Sequence, residues 1–264
     1  MDLGISGRVA LVAASSQGLG LACAESLARE GVRVTLNGRD GARLEAAAST
    51  LRARVRTRVP DTEVGTIAAD LTTPEGRAAI LTALPDVDIL VTNNAGPRPG
   101  PYAEWDAEAL HGALATNAVP AIELMRAYLP GMRARRFGRI VNITSAMVKS
   151  PAADMGLSAS ARAALTAAAK SISKEVAADN VTVNNLLPER IDTPRQEFMA
   201  RRRMERDGIT RDEAYAAIAS TVTARRLGRP EELGDACAFL CSAQAGYITG
   251  QNLQLDGGTY EGLI

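Results

Sequence analysis

The chain is short of several things that would mark particular classes of protein. It has three cysteines, Cys23, Cys237 and Cys241, in 264 residues. That is too few and too scattered for a disulfide framework. Cys237 and Cys241 sit four apart on a predicted helix with no histidine or further cysteine nearby, so they read as buried thiols rather than metal ligands. Aromatic residues make up only 3 % while apolar residues reach 46 %, which requires an aliphatic, alanine-rich core. Thirty basic and thirty acidic side chains cancel. Nothing in that balance favours nucleic acid or an anionic membrane as a partner. The N-terminus lacks a basic region followed by a long apolar run, and the apolar stretch Val9–Ala14 is too short for a signal peptide or a membrane span. A soluble, cytoplasmic protein is expected. Lysine is scarce: Lys149, Lys170 and Lys174 are the only three, and arginine supplies every other basic side chain. His111, the single histidine, reads as a surface or structural residue.

What is present is a regular alternation. Short runs rich in Val, Ile and Leu predict strands at Val9–Ala14, Val32–Asn37, Val64–Ala68, Val87–Asn93, Arg139–Ile143, Val181–Leu187 and Asn252–Leu255. They lack strict polar alternation, as strands covered on both faces do. Between them, helical periodicity predicts Leu19–Glu30, Ala42–Thr57, Pro74–Ala83, Asp106–Tyr128, Leu157–Ala178 and Pro230–Ser242. Strand–helix alternation of this kind implies an α/β fold: a Rossmann-type, doubly wound parallel sheet with helices on both faces, in a single domain. Residues 194–226 break the rhythm with a highly charged insertion.

The first strand runs into Ala14-Ser15-Ser16-Gln17-Gly18-Leu19-Gly20, and a helix follows at once. A glycine turn there lets a pyrophosphate approach backbone N–H groups at the positive helix end. The second strand ends at Asn37, followed by Gly38 and Arg39. Asn37 is not the acid that would bind a ribose diol, whereas Arg39 can pair with a 2′-phosphate, which favours NADP over NAD. Asp70 and Leu71, after the third strand, can meet the adenine edge. After the fourth, Asn93-Asn94-Ala95-Gly96 leaves room for a ribose, with an Asn able to lock neighbouring strands.

With these motifs, Asn117, Ile143-Thr144-Ser145, Pro188 with Ile191 and Thr193, and the closing Gly250–Gly258 stretch, nearly the whole chain resembles the short-chain dehydrogenase/reductase family. The style is closest to the β-ketoacyl carrier-protein reductases. One departure is Ala14, which stands where the family usually has Gly. The resemblance implies that Pro188, Ile191 and Thr193 flank the nicotinamide and phosphates, that Glu189 replaces a usual Gly beside them, and that residues 194–226 form a substrate lid. It also implies a tetrad of Asn, Ser, Tyr and Lys. A phenol with an ordinary pKa near 10 can deliver a proton once a neighbouring cation lowers it, while Ser holds the substrate oxygen and Asn carries a water-linked proton path.

Asn117 and Ser145 match two members of that tetrad. In the register set by Arg162-Ala163-Ala164-Leu165, Ser158 stands at the Tyr position and Arg162 at the Lys position. Related enoyl reductases put their Tyr where Met155 is. A serine hydroxyl is a weaker acid than a phenol and is shorter, so water held by Ser158 and Ser145 would have to fill the gap. Ser158 can equally do no more than line a helix; Arg162 keeps the cation and can bind a ribose or a substrate carboxylate. Tyr102, Lys149 and Asp154 are weaker candidates for the proton donor. Arg201-Arg202-Arg203 can receive an anionic substrate tail or form a solvated helix face. The alanine-rich 157–178 helix and the Asn117 helix imply a homodimer or homotetramer on the family pattern. An NADP-dependent reductase of a small-molecule carbonyl or alcohol, a dinucleotide-binding protein without turnover, and a non-redox enzyme on the same scaffold all stay open.

Overall fold

The computed structural model describes residues 2–263. The strands are β1 (Val9–Val12), β2 (Arg33–Gly38), β3 (Val64–Ala68), β4 (Ile89–Thr92), β5 (Gly138–Ile143), β6 (Val181–Pro188) and β7 (Asn252–Leu255). They form one parallel sheet in the order β3-β2-β1-β4-β5-β6-β7. The order reverses between β1 and β4, the switch point where α/β sheets open a crevice at the carboxyl ends of their strands. The helices are α1 (Gly18–Arg29), α2 (Gly41–Val55), α3 (Pro74–Ala83), α4 (Ala107–Asn117), α5 (Val119–Ala134), α6 (Gly156–Val176), α7 (Pro194–Asp207), α8 (Arg211–Ala219) and α9 (Pro230–Cys241).

The pleat explains the unbroken apolar strands. Along β1, Ala10 and Val12 join one core with Leu27 of α1, Leu44 of α2 and Leu240 of α9. Leu11 and the following Ala13 join the other, with Ile80 of α3, Met125 of α5 and Leu165 of α6. Alternate residues therefore serve opposite faces, and both faces are covered. The three cysteines are free and buried, all in the α1–α9 layer. The hydrogen bonds that Cys237 gives to Cys23 and Cys241 gives to Cys237, together with burial, push both thiols well up, so both stay unreactive. Among the described residues no group of His, Cys, Asp and Glu is placed to hold a metal, and no helix is long and apolar enough to cross a membrane.

The single helix expected over Asp106–Tyr128 is two. Pro120 has no N–H to donate to the carbonyl of Thr116, four residues back. The Thr116 carbonyl instead accepts the Asn94 side-chain N–H₂ at 2.8 Å. The chain turns at Ala118 and α5 restarts with proline in its first turn. The charged 194–226 segment holds α7 and α8, clamped by Glu197, which accepts from Arg201, Arg211 and the Tyr215 hydroxyl.

A polar ladder crosses the buried sheet. Thr92 donates to Asn142 at 2.7 Å, Asn142 donates to Asn185 at 3.0 Å, and Asn185 donates to Asn252 at 2.7 Å. The four are direct register partners on β4, β5, β6 and β7.

Candidate active site

Loops from the carboxyl ends of β1 to β6 enclose a cleft of about 1020 Å³, roofed by α7. That exceeds a typical small-ligand pocket and has room for a dinucleotide with a second molecule beside it. At the β1 end, Ala14 takes a left-handed backbone conformation (φ 46°) and Gly18 another (φ 61°). A side chain at Gly20 would lie 2.6 Å from the Ala14 carbonyl oxygen, so only glycine permits this tight turn. Gln17 precedes α1 without a side-chain cap, which leaves the first N–H groups of the helix free toward the cleft. An uncapped helix start behind a glycine turn is a cradle for a pyrophosphate.

Ser16, Gln17, Gly18 and Leu19 line this end with Ala14. Ser15 does not. It is fully buried, and its hydroxyl donates to the Val12 carbonyl while accepting from Asn37 N–H, tying β1 to β2. Asn37 borders the cleft, yet its side-chain N–H₂ is spent on the carbonyls of Ile67 and Ala69, both at 3.1 Å. It pins β2 to β3, and the cations lining this corner are Arg39 and Arg43. Arg39 lies 3.9 Å from Asp70 with its side chain 74 % exposed, so it can swing to a phosphate. Hydrogen bonds from Thr72, then the Arg39 charge, hold the Asp70 carboxyl below the usual range. Leu71, Asn94, Ala95 and Gly96 continue the wall. Asn93, as expected of an Asn there, bonds across to the Ala14 carbonyl.

Farther along, Ser145, Ser158 and Arg162 line the cleft together. Ser145 follows β5 and accepts from Met147 N–H at 3.2 Å. Ser158 and Arg162 sit one turn apart on α6, and the guanidinium donates to the Ser158 hydroxyl oxygen. A side chain on Gly96 would come within 3.0 Å of the guanidinium, so this glycine gives the pair its space. Burial, then the charge of Arg195, depresses Arg162 to about 10. Asn117 stands behind the wall, outside the main cleft. It donates to the Ala95 carbonyl at 2.8 Å, and its Oδ1 is buried with no partner among the described residues. With Arg162, Thr116 and Asn94 it borders a small void of about 20 Å³, the size of one water.

Among the described residues, no tyrosine lines the cleft. Tyr102 is exposed outside it, Tyr128 donates to the Leu84 carbonyl, and Tyr215 is held by Glu197. Met155 and Asp154 line the wall. Lys149 does not: it donates to Gln254 at 3.1 Å and lies over the Tyr260 ring. Pro188, Ile191 and Thr193 close the far side with Glu189, whose carboxyl burial pushes up against the pull of Arg190. Of the arginine triplet, Arg201 faces away onto Glu197, while Arg202 and Arg203 face inward. Arg43 and Arg195 are cleft residues that the sequence reading passed over. The signal for Arg195 was its helical spacing of seven from Arg202.

Comparison with known proteins gives the same picture. The family described as enoyl-(acyl carrier protein) reductase matches residues 13–260. The NADPH-dependent reductase BacG of Bacillus subtilis is 31 % identical over 263 residues, covering 98 % of this chain and all of that one. A 3-oxoacyl-(acyl-carrier-protein) reductase of Vibrio cholerae is 34 % identical over 264 residues, 98 % of this chain and 99 % of the relative. Among solved structures, L-sorbose reductase from Gluconobacter frateurii, crystallised with NADPH and L-sorbose, superposes with a TM-score of 0.92 at 32 % identity over the full length of both chains. With a parallel seven-stranded sheet, a glycine-turn cradle and similarity running end to end, the chain belongs to the short-chain dehydrogenase/reductase family.

Proposed function

We propose that this protein is an NADP(H)-dependent oxidoreductase interconverting a small-molecule carbonyl and alcohol, possessing a Ser158–Arg162 pair where the family resemblance implies a phenol and an ammonium. The observation that carries this reading is the contact of the Arg162 guanidinium with the Ser158 hydroxyl, in the same cleft wall as Ser145 and beside Gly96. The residues at the other end fit a dinucleotide phosphate: an uncapped helix start for the pyrophosphate, with Arg39 and Arg43 for a 2′-phosphate. NADPH-dependent relatives support the same cofactor.

A nicotinamide cofactor bound in the cleft supplies or accepts the hydride. Ser145 holds the substrate oxygen. Arg162 donates to Ser158 Oγ and so leaves the Ser158 hydroxyl hydrogen free for the substrate oxygen or a bridging water. The guanidinium charge stabilises oxygen as it gains negative character. Asn117, through its buried Oδ1, links the back of Arg162 to a water-sized space and a proton route. A serine hydroxyl remains a poorer acid than a phenol, so proton supply limits the rate. Residues 194–226 act as the substrate lid. Exposed Leu110 and Val119, with the small residues of α6, supply a face for a homodimer or homotetramer.

Two measurements test this. Calorimetry is expected to give NADPH about ten-fold tighter binding than NADH, the worth of a charge-assisted pair; equal affinities would overturn the cofactor assignment. The double variant Ser158→Tyr with Arg162→Lys is expected to raise ketone reduction by about a hundred-fold, the range of a positioned general acid. A variant that binds NADPH yet stays inert would mean that proton supply is not what limits this protein, and would favour a binding role without turnover.

A further inference from the structure

The cleft-facing side of α7 carries positive charge that the protein does not neutralise. Arg195, Phe198, Met199, Arg202, Arg203 and Arg206 all line the cleft. They fall at i, i+3, i+4, i+7, i+8 and i+11, one stripe of a helix. The orientation of that stripe is set from behind. Ala200 and Met204 pack on Ala214 and Ile218 of α8, and Glu197 ties α7 to Arg211 and Tyr215. The arginines thus face inward because the other side of the helix is committed.

Of the eight arginines lining the cleft, four have an acid, the first being Arg39, near Asp70. Arg203 and Arg206 share Asp207, and Arg190 lies 3.8 Å from Glu189. Among the described residues, Arg195, Arg202 and Arg162 have no carboxylate within ion-pair distance. Arg195 makes only a 3.4 Å contact to the Pro97 carbonyl and lies 5.3 Å from the Phe198 ring centre. Burial and then the Arg202 charge lower its pKa, and Arg195 in turn acts on Arg162. Arg195 and Arg202 open onto the cleft's solvent, so both guanidinium groups are accessible to an anion, whose charge would offset their repulsion of one another and of Arg162. Arg195 and Arg202 are two turns apart, about 10 Å along the helix, with Phe198 and Met199 between them as an apolar wall.

We infer that the substrate carries a carboxylate or phosphate at the end away from its reacting carbon, and that Arg195 and Arg202 grip that anion while Phe198 and Met199 cover the carbon chain. This rests on the oxidoreductase reading above and names its substrate class.

The test is calorimetry on protein saturated with NADP⁺, using 4-oxopentanoate, its methyl ester and 4-oxopentyl phosphate as probes. The two anions are expected to bind about ten-fold tighter than the ester, and whichever is tighter identifies the preferred anion. Arg195→Gln and Arg202→Gln should each erase most of that advantage and leave NADP⁺ affinity unchanged. Arg201→Gln, on the opposite face, should change neither. The inference is overturned if the ester binds as well as the acid, or if neither anion binds up to roughly 10 mM, a generous ceiling for a metabolite site. It is also overturned if the Arg195 and Arg202 variants weaken NADP⁺ and leave the acid-to-ester ratio intact, since the arginines would then serve the cofactor. If NADP⁺ itself does not bind, the cofactor reading falls, and the acid–ester comparison on the free protein still decides this one.

Discussion

Arg162→Met should make this protein more stable while damaging its site. Burial is the main reason the guanidinium sits at about 10, with the Arg195 charge adding to it. That is a drop of more than two decades from a free arginine, and at about 1.4 kcal/mol per decade the fold carries about 3 kcal/mol to keep the charge in place. Methionine retains much of the stem and removes the charge. The lost hydrogen bond to Ser158 costs about 1 kcal/mol, because that hydroxyl borders the cleft and can turn to solvent. A net gain of about 2 kcal/mol corresponds to a Tm rise of about 5 °C for a chain of this size. The sign with pH follows from a folded-state pKa below the unfolded one. The penalty is complete at neutral pH and is relieved only as pH climbs past about 10 toward the value of a free arginine, so the variant's advantage should be full at pH 7.5 and shrink in alkali. Differential scanning calorimetry of both proteins, with and without NADPH, reads all of this. Added NADPH should stabilise the natural protein more than the variant. A Tm that falls in the variant would refute the claim that Arg162 is held against its own desolvation.

Two further outcomes are expected. Asn142→Leu removes the middle of the sheet ladder, leaving the Thr92 hydroxyl and the Asn185 carbonyl oxygen buried without their partner; urea unfolding should show a loss of about 2–4 kcal/mol. Glu197→Gln should loosen α7 from α8, seen as faster proteolysis within residues 194–226 at neutral pH. Hydrogen bonds from Arg211 and then Tyr215 hold the Glu197 carboxyl at about 2, so the natural protein keeps the clamp above the ordinary carboxylate range and loses it only as pH falls toward that value. Equal cleavage rates for the two proteins at pH 7 would count against the clamp.

Much of the architecture was legible because its cause is local. The predicted limits of the third and seventh strands match β3 and β7, the two edge strands, because each stops at a local signal, Ala69-Asp70 and Asp256-Gly257-Gly258. The break at Ala118 is not legible in the residue pattern, even with Pro120 two positions on. Helical periodicity continues through it, and the turn is stabilised by Asn94, which arrives from another loop. Ser15 reads from sequence as part of a phosphate turn, but the β1–β2 pairing draws it inward. Asn37 was read for what it is not, an acid at the ribose, while its actual bonds to β3 required knowing the strand order. Arg201, Arg202 and Arg203 look alike in sequence; only the packing of α8 behind α7 separates the one that faces Glu197 from the two that face the cleft.

The Thr92–Asn142–Asn185–Asn252 chain has a consequence for the chemistry above it. The two central amides, Asn142 and Asn185, each receive from one neighbour and give to the next, so neither can rotate without stranding two partners. A strand sliding by one position would turn its rung to the opposite face of the sheet. Four strands are thus levelled against one another like planks on a common dowel. The segments that leave them, bearing Gly96, Ser145, Glu189 and Asp256, start from the same height, and the spacing between the two ends of the reaction is decided in the foundations before any molecule arrives.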